Sequence, residues 1–304
     1  MKKIIAYVKN LDIKDTMKII SHFFRNDFFQ PILSSLMLFK HKPRMIIFLF
    51  VSFLCFISML PFDFTTNIFV FVFVIAVLLS PVLESMLRCL YDVRYIATSK
   101  EKQRLNILFS EVYNKVKKDN KYVSNDIQLF LSDTLKIEAF TLSKNTIVLS
   151  TGMLQTFSDT ELQAILAHEF YHVLKGDAQV KMLVWFGTSI YTTVAVIVYH
   201  LIEWIQLSLG DGFIGSILKL VNLALYGFLT ITVNLLCFIV GGNDRRIEYK
   251  ADLYALRLGY ARDMISGLYI TQSMEIADKK LFSKRLMENH PRTAYRIEKL
   301  EKLL

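Results

Sequence analysis

His168, Glu169 and His172 are the residues of this chain whose types and spacing best fit a chemical task. The two histidines are four apart. On a helix that spacing stacks both imidazoles on one face, one turn apart, so both can reach one metal ion. Glu169 lies beside them and can reach a water on that metal. Two nitrogen ligands with a neighbouring carboxylate form the H-E-x-x-H pattern of hydrolytic zinc sites. Chance also produces this spacing, so a third ligand elsewhere is the discriminating requirement. The polar stretch 245–252, Arg-Arg-Ile-Glu-Tyr-Lys-Ala-Asp, supplies one. Glu248 and Asp252 are again four apart on one helical face. Glu248 would complete a His₂Glu set with one open position, and Asp252 would accept a hydrogen bond from the free ring N–H of a ligand histidine.

The chemistry such a site performs is metal-assisted hydrolysis. Zinc brings the ionisation of water down to about pH 7. Glu169 would take the proton and later deliver it to the leaving amine.

The elements that must hold these residues are legible around them. Ser158 is a good N-cap, and Glu161 three residues on completes a capping box. Lys175 and Gly176 suit the C-terminal end, so one helix is expected over 158–176. Strand-like pieces precede it at 127–131, 137–142 and 147–149, with a turn at Ser143-Lys144-Asn145. A strand just ahead of the helix is either an ordinary core strand or an exposed edge able to pair with an extended peptide. Downstream, helices are expected over 262–275 and 293–304. His290 precedes Pro291, which keeps it out of the α region; it either faces the site or faces water.

Composition places these elements beside a membrane. Hydrophobic residues make up 53% of the 304, phenylalanine alone occurs 24 times, and the net charge is nevertheless +9. Mean hydropathy is +0.38. Apolar blocks with a basic remainder indicate an integral membrane protein. The cations flank apolar runs and form no aromatic-interleaved patch, so nucleic acid is not an expected partner. Cys55, Cys89 and Cys237 form no C-x-x-C pair and imply neither a disulfide framework nor a thiolate metal site. Apolar runs at 45–62, 64–83, 182–202 and 220–240 are each near the ~20 residues that cross a bilayer. The expected order is therefore a basic segment at 1–44, an apolar hairpin at 45–83, and a first polar part with the metal helix at 84–181. Two more spans at 182–240 and a second polar part at 241–304 follow. Lys and Arg crowd the polar parts and are absent from the short links near Asp63 and over 203–216. Positive-inside then places both termini and both halves of the site in the cytoplasm. Ionisable residues are nearly absent from the spans, which disfavours a transporter.

Taken as a set, these motifs resemble the M48 metallopeptidases, and among them the HtpX-like bacterial membrane proteases. The residues that carry the likeness are 168–177 (His-Glu-Phe-Tyr-His-Val-Leu-Lys-Gly-Asp), 248–252 (Glu-Tyr-Lys-Ala-Asp), and His290-Pro291 with Arg296. The resemblance implies a mainly α, α+β gluzincin-type domain on four transmembrane helices, with one zinc per chain held by His168, His172 and Glu248. It implies Glu169 as base and His290 and Arg296 as groups assisting substrate or transition state. It also implies an edge strand that binds substrate through Ala139 and Phe140. The family usually has Asn-Ala-Phe there, and this chain has Glu138-Ala139-Phe140. The implied role is a zinc endopeptidase of the bacterial cytoplasmic (inner) membrane, acting at the cytoplasmic face on misfolded or damaged membrane proteins. A homo-oligomer is compatible with the sequence. Two alternatives stand beside it: a non-catalytic zinc-binding membrane scaffold, and a prenyl-protein endopeptidase of the same family. The scaffold is opposed by an open fourth coordination position, since structural zinc sites are usually closed.

Overall fold

The computed structural model describes residues 42, 44–59, 63–121, 123–210, 212–241, 244–277 and 293–304. His290 lies outside them, as does nearly all of the basic segment 1–44.

Two apolar helices come first, α1 (Arg44–Met59) and α2 (Phe64–Leu78). The chain then bends by 57° into α3 (Pro81–Leu90), where Ser80 caps the new helix and proline occupies its first turn. A short strand β1 (Val93–Tyr95) leads to α4 (Ser99–Asp119), which opens with a full capping box of Thr98 and Glu101. Strands β2 (Gln128–Ser132), β3 (Ala139–Thr141) and β4 (Thr146–Ser150) follow. The sheet order is β1-β2-β4-β3, with β2 parallel to β4 and the other two pairs antiparallel. Thus β3 is an edge strand, joined to β4 through the expected turn. β4 is buried at every position, as a central strand covered on both faces must be.

A short helix, α5 (Thr151–Thr156), leads to α6 (Asp159–Lys175). The predicted caps of α6 are present. Ser158 and Glu161 close a capping box, and Gly176 takes φ 63°, the left-handed conformation that glycine adopts without strain. Leu162, Leu166 and Phe170 are fully buried, each contributing roughly 1.5–3 kcal/mol by burial. Arg104 of α4 braces the entry corner, with Nε 2.6 Å from Asp159 and another nitrogen 2.9 Å from the Leu154 carbonyl.

Helix α7 (Asp177–Leu209) starts directly after Gly176 and runs for 33 residues; α8 (Phe213–Gly241) returns beside it. The chain closes with α9 (Asp244–Arg257), α10 (Ala261–Ala277) and α11 (Thr293–Glu301). Leu105, Leu131, Leu149, Leu162, Met264 and Leu300 belong to one core that joins sheet and helices. A second cluster, Met45, Phe48, Leu78, Val180 and Leu183, ties the near ends of α1, α2 and α7 together.

The fold is mainly helical with one small sheet. The four expected spans are not all of full length. Among the described residues only α8 is by itself long and apolar enough to cross a bilayer; α2 and α3 qualify only when joined across their bend. The run at 64–83 was expected to be one continuous segment, but Ser80 and Pro81 break it, because a capping serine and a first-turn proline start a new helix.

Candidate metal centre

Helix α6 presents His168 and His172 to the same point, their Nε2 atoms 3.2 Å apart. Helix α9 packs across α6, and alanines on the buried faces of both (Ala164, Ala167, Ala251 and Ala255, all fully buried) leave room for a close crossing. The crossing brings Glu248 to the histidines, one carboxylate oxygen 3.4 Å from His168 Nε2 and the other 3.6 Å from His172 Nε2. Ligand atoms each about 2.0–2.1 Å from a tetrahedral zinc lie about 3.3 Å from one another. The two nitrogens are spaced near that value and each Glu248 oxygen stands near it from one of them, so the residues present fit a zinc ion.

Ligand atoms of His168, Glu169 and His172 also fall within 4.8 Å of one another. Two carboxylates thus stand at the paired histidines, Glu248 and Glu169. Glu248 meets each histidine with one of its oxygens, while Glu169 accepts a hydrogen bond from a hydroxyl: Thr141 of β3 donates to Glu169 Oε2 at 2.9 Å. Thr141 Oγ1 also lies 3.2 Å from the Glu169 carbonyl oxygen. The edge strand is thereby fastened to the metal helix beside the base.

Each histidine has a carboxylate behind it. Asp252 Oδ1 lies 2.9 Å from His168 Nδ1, close but off the line of a good hydrogen bond. Asp177 Oδ2 lies 2.8 Å from His172 Nδ1, and Asp177 also pairs with Lys42. Both aspartates are buried. Burial raises their pKa values, but Arg296 and His168 for Asp252, and His172 and Lys42 for Asp177, outweigh it and hold both below the usual carboxylate range. Burial pushes His168 down, while Asp252 and Glu248 more than reverse this and raise it to about 9. The same carboxylate field favours a divalent cation, which would displace that proton.

Arg296 of α11 grips Asp252 with two nitrogens, at 2.8 and 2.6 Å. Its remaining terminal nitrogen is 3.8 Å from Glu248. Arg296 was expected to act on substrate or transition state. In the structure two of its nitrogens hold the carboxylate behind His168, and it also lines the cleft. Burial lowers the Arg296 pKa, but Asp252 more than compensates and raises it, so the charge is secure.

The cleft over this centre holds about 340 Å³ and is lined by Ala139, Phe140, Thr141, Glu169 and Arg296, among others. The edge strand expected to meet substrate therefore borders the base and the metal point. Sequence reasoning missed three contributors: Asp177, Lys42 and Thr141. Asp177 stood inside the motif at 168–177 without a role, and its place five residues after His172 was the available signal. Nothing local marked Lys42 or Thr141, whose partners are 135 and 28 residues away in the chain.

Two helices that deliver two histidines and a glutamate around one point, with a second carboxylate beside it, define a metal-hydrolase type of centre. The chain belongs to peptidase family M48, whose family model matches residues 99–304. Over 126 residues it is 31% identical to the Protease HtpX of Alcanivorax borkumensis, a match that spans 40% of this chain and 40% of that protein. The structure also resembles that of S. mikatae Ste24p, covering 89% of this chain and 66% of that one, at 19% identity and a TM-score of 0.49.

Proposed function

We propose that this chain is a membrane-embedded zinc endopeptidase that hydrolyses polypeptides at the cytoplasmic face of the bacterial inner membrane, in quality control of misfolded or damaged membrane proteins. The observation that carries the reading is the Glu248 carboxylate, whose two oxygens stand 3.4 and 3.6 Å from histidine Nε2 atoms that are themselves 3.2 Å apart, with the Glu169 carboxylate beside them. His168, His172 and Glu248 would hold the ion, which supplies a Lewis acid that ionises water near neutral pH. Glu169, oriented by Thr141, accepts the water proton and returns it to the leaving amine. Asp252 and Asp177 fix the imidazole orientations, and Arg296 holds Asp252. An extended substrate pairs with the main chain of β3, which leaves its side chains free to vary and suits a protease that removes many different damaged proteins. His290 remains a proposed assistant to catalysis.

The membrane part rests on exposed apolar helices. Phe50, Leu54, Phe69, Phe73, Leu220 and Phe228 stand free on α1, α2 and α8, an arrangement costly in water. The chain has two tryptophans, Trp185 and Trp204, both on α7 and both 68% exposed. They are separated by about 28 Å at 1.5 Å per residue, close to the thickness of hydrocarbon whose edges tryptophan favours. Four helices, α1, α2, α7 and α8, would cross, with both termini on the side of the metal.

The test is cleavage of casein by detergent-purified wild type and Glu169→Ala, each with zinc quantified. Wild type should cut, the variant should not, and both should hold about one zinc. Both binding zinc with neither cutting would favour a scaffold; absence of zinc from both would refute the ligand set.

A further inference from the structure

Helix α3 is amphipathic the wrong way round for water. Its exposed positions are 82, 85, 86, 89 and 90, a single helical face. That face carries Val82, Met86 and Leu90, which are 53%, 63% and 79% exposed, with Ser85 and Cys89 between them. The charged residues point inward. Glu84 accepts a hydrogen bond from Thr146 of β4, Arg88 reaches the same hydroxyl at 3.3 Å, and its guanidinium lies 4.9 Å over the Phe130 ring. The sheet thus holds the polar face and leaves the apolar face bare.

The place of α3 in the fold says what covers that face. It continues from α2, whose Phe69, Val72, Phe73 and Val77 are exposed, after a 57° turn. The last residue of α2, Leu78, packs in one cluster with Val180 and Leu183 at the start of α7. That level adjoins Asp177 and the metal point, so α3 leaves the bundle where the spans meet the soluble part. We infer that α3 lies on the bilayer surface with Val82, Met86 and Leu90 in the acyl boundary, and that it holds the substrate-binding edge at headgroup height. This rests on the membrane reading above. The link to the site is direct: Tyr91, the C-cap of α3, lies against Phe140 of β3 at 6.3 Å between ring centroids. The next residue, Thr141, holds the base Glu169. A polypeptide leaving the bilayer beside α3 would then meet β3 first, without crossing open solvent.

Cys89 provides the probe. In a Cys55→Ala, Cys237→Ala background, an environment-sensitive fluorophore on Cys89 is compared in liposomes with one on Val72→Cys, made in the same background with Cys89→Ser. Both should emit to the blue and be quenched by brominated lipid but not by iodide. If the position-72 probe is quenched by lipid while the Cys89 probe is quenched by iodide, or by neither agent, the α3 inference is overturned and water or protein covers the face. If the position-72 probe is itself open to iodide, the membrane reading fails first. A second readout is Met86→Glu with Leu90→Glu. Cleavage of a bilayer-anchored substrate should fall several-fold while cleavage of soluble casein in detergent is unchanged; equal effects on both substrates would overturn the inference.

Discussion

Glu169 and its neighbours divide the work of the centre by what each can still reach. Both histidines turn Nε2 to the metal point and Nδ1 towards an aspartate, hydrogen-bonded to Asp177 for His172 and 2.9 Å from Asp252 for His168. Replacing either aspartate with asparagine should weaken zinc about 10–100-fold, the usual loss when the group behind a ligand histidine is removed. Competition with a chromophoric chelator measures it, and unchanged affinity in both variants would remove them from the site. Asp252 is the costlier position because Arg296, partly buried, pairs with it through two nitrogens, and Asn there removes the carboxylate that most directly offsets the guanidinium.

Gly152 decides how the strand segment meets the helix segment. A Cβ built there would come within 2.3 Å of the Leu135 carbonyl oxygen, and the Gly152 N–H donates to Thr134 at 2.9 Å. The clash is with backbone that leads directly into β3. Gly152→Ala should therefore destabilise the fold by roughly 1–3 kcal/mol, as overpacking does, and should lower casein cleavage more than zinc content. Thermal melting and metal analysis check this; a melting point equal to wild type would show that the turn yields without strain. At the start of α4, the carboxyl of Glu101 is held at about 2 by hydrogen bonds, first from Arg94, against a smaller opposing effect of burial. A lowered folded-state value contributes stability above the ordinary 4.5, lost as pH falls towards 2. The pair is partly exposed, so the effect is modest. Arg94→Ala should lower the melting temperature at neutral pH, with a gap from wild type that narrows in acid; a constant gap would assign the loss to packing.

At the scale of the molecule, the two tryptophans make the membrane reading measurable. Both lie on α7, so intrinsic fluorescence in liposomes reports that helix alone. Lipids brominated near the headgroup end of the chain should quench it more than lipids brominated at the terminal methyl, because both rings are expected at the boundaries. Stronger quenching from the deep position would move the span along α7, and none would take α7 out of the bilayer. The metal helix connects to α7 through one glycine, and Asp177 at that junction touches a ligand histidine. Reorienting α7 would thus be felt at the metal.

The amino-acid sequence by itself determined the local features: the caps of α6, the four-residue spacings at 168–172 and 248–252, the turn at 143–145, and the alternation of apolar and basic blocks. Each is set by residues within one or two turns, where side-chain type and backbone preference act without help from the rest of the chain. Only the tertiary structure decided that Glu248 is close enough to be a ligand while Glu169 is held by Thr141. It also decided that Arg296 serves Asp252, that Lys42 and Asp177 stand behind His172, and that the run at 64–83 turns at Ser80. These depend on where helices cross, and crossings follow from packed surfaces contributed by distant segments. A periodic pattern records which face of a helix is buried, but not the partner that will bury it.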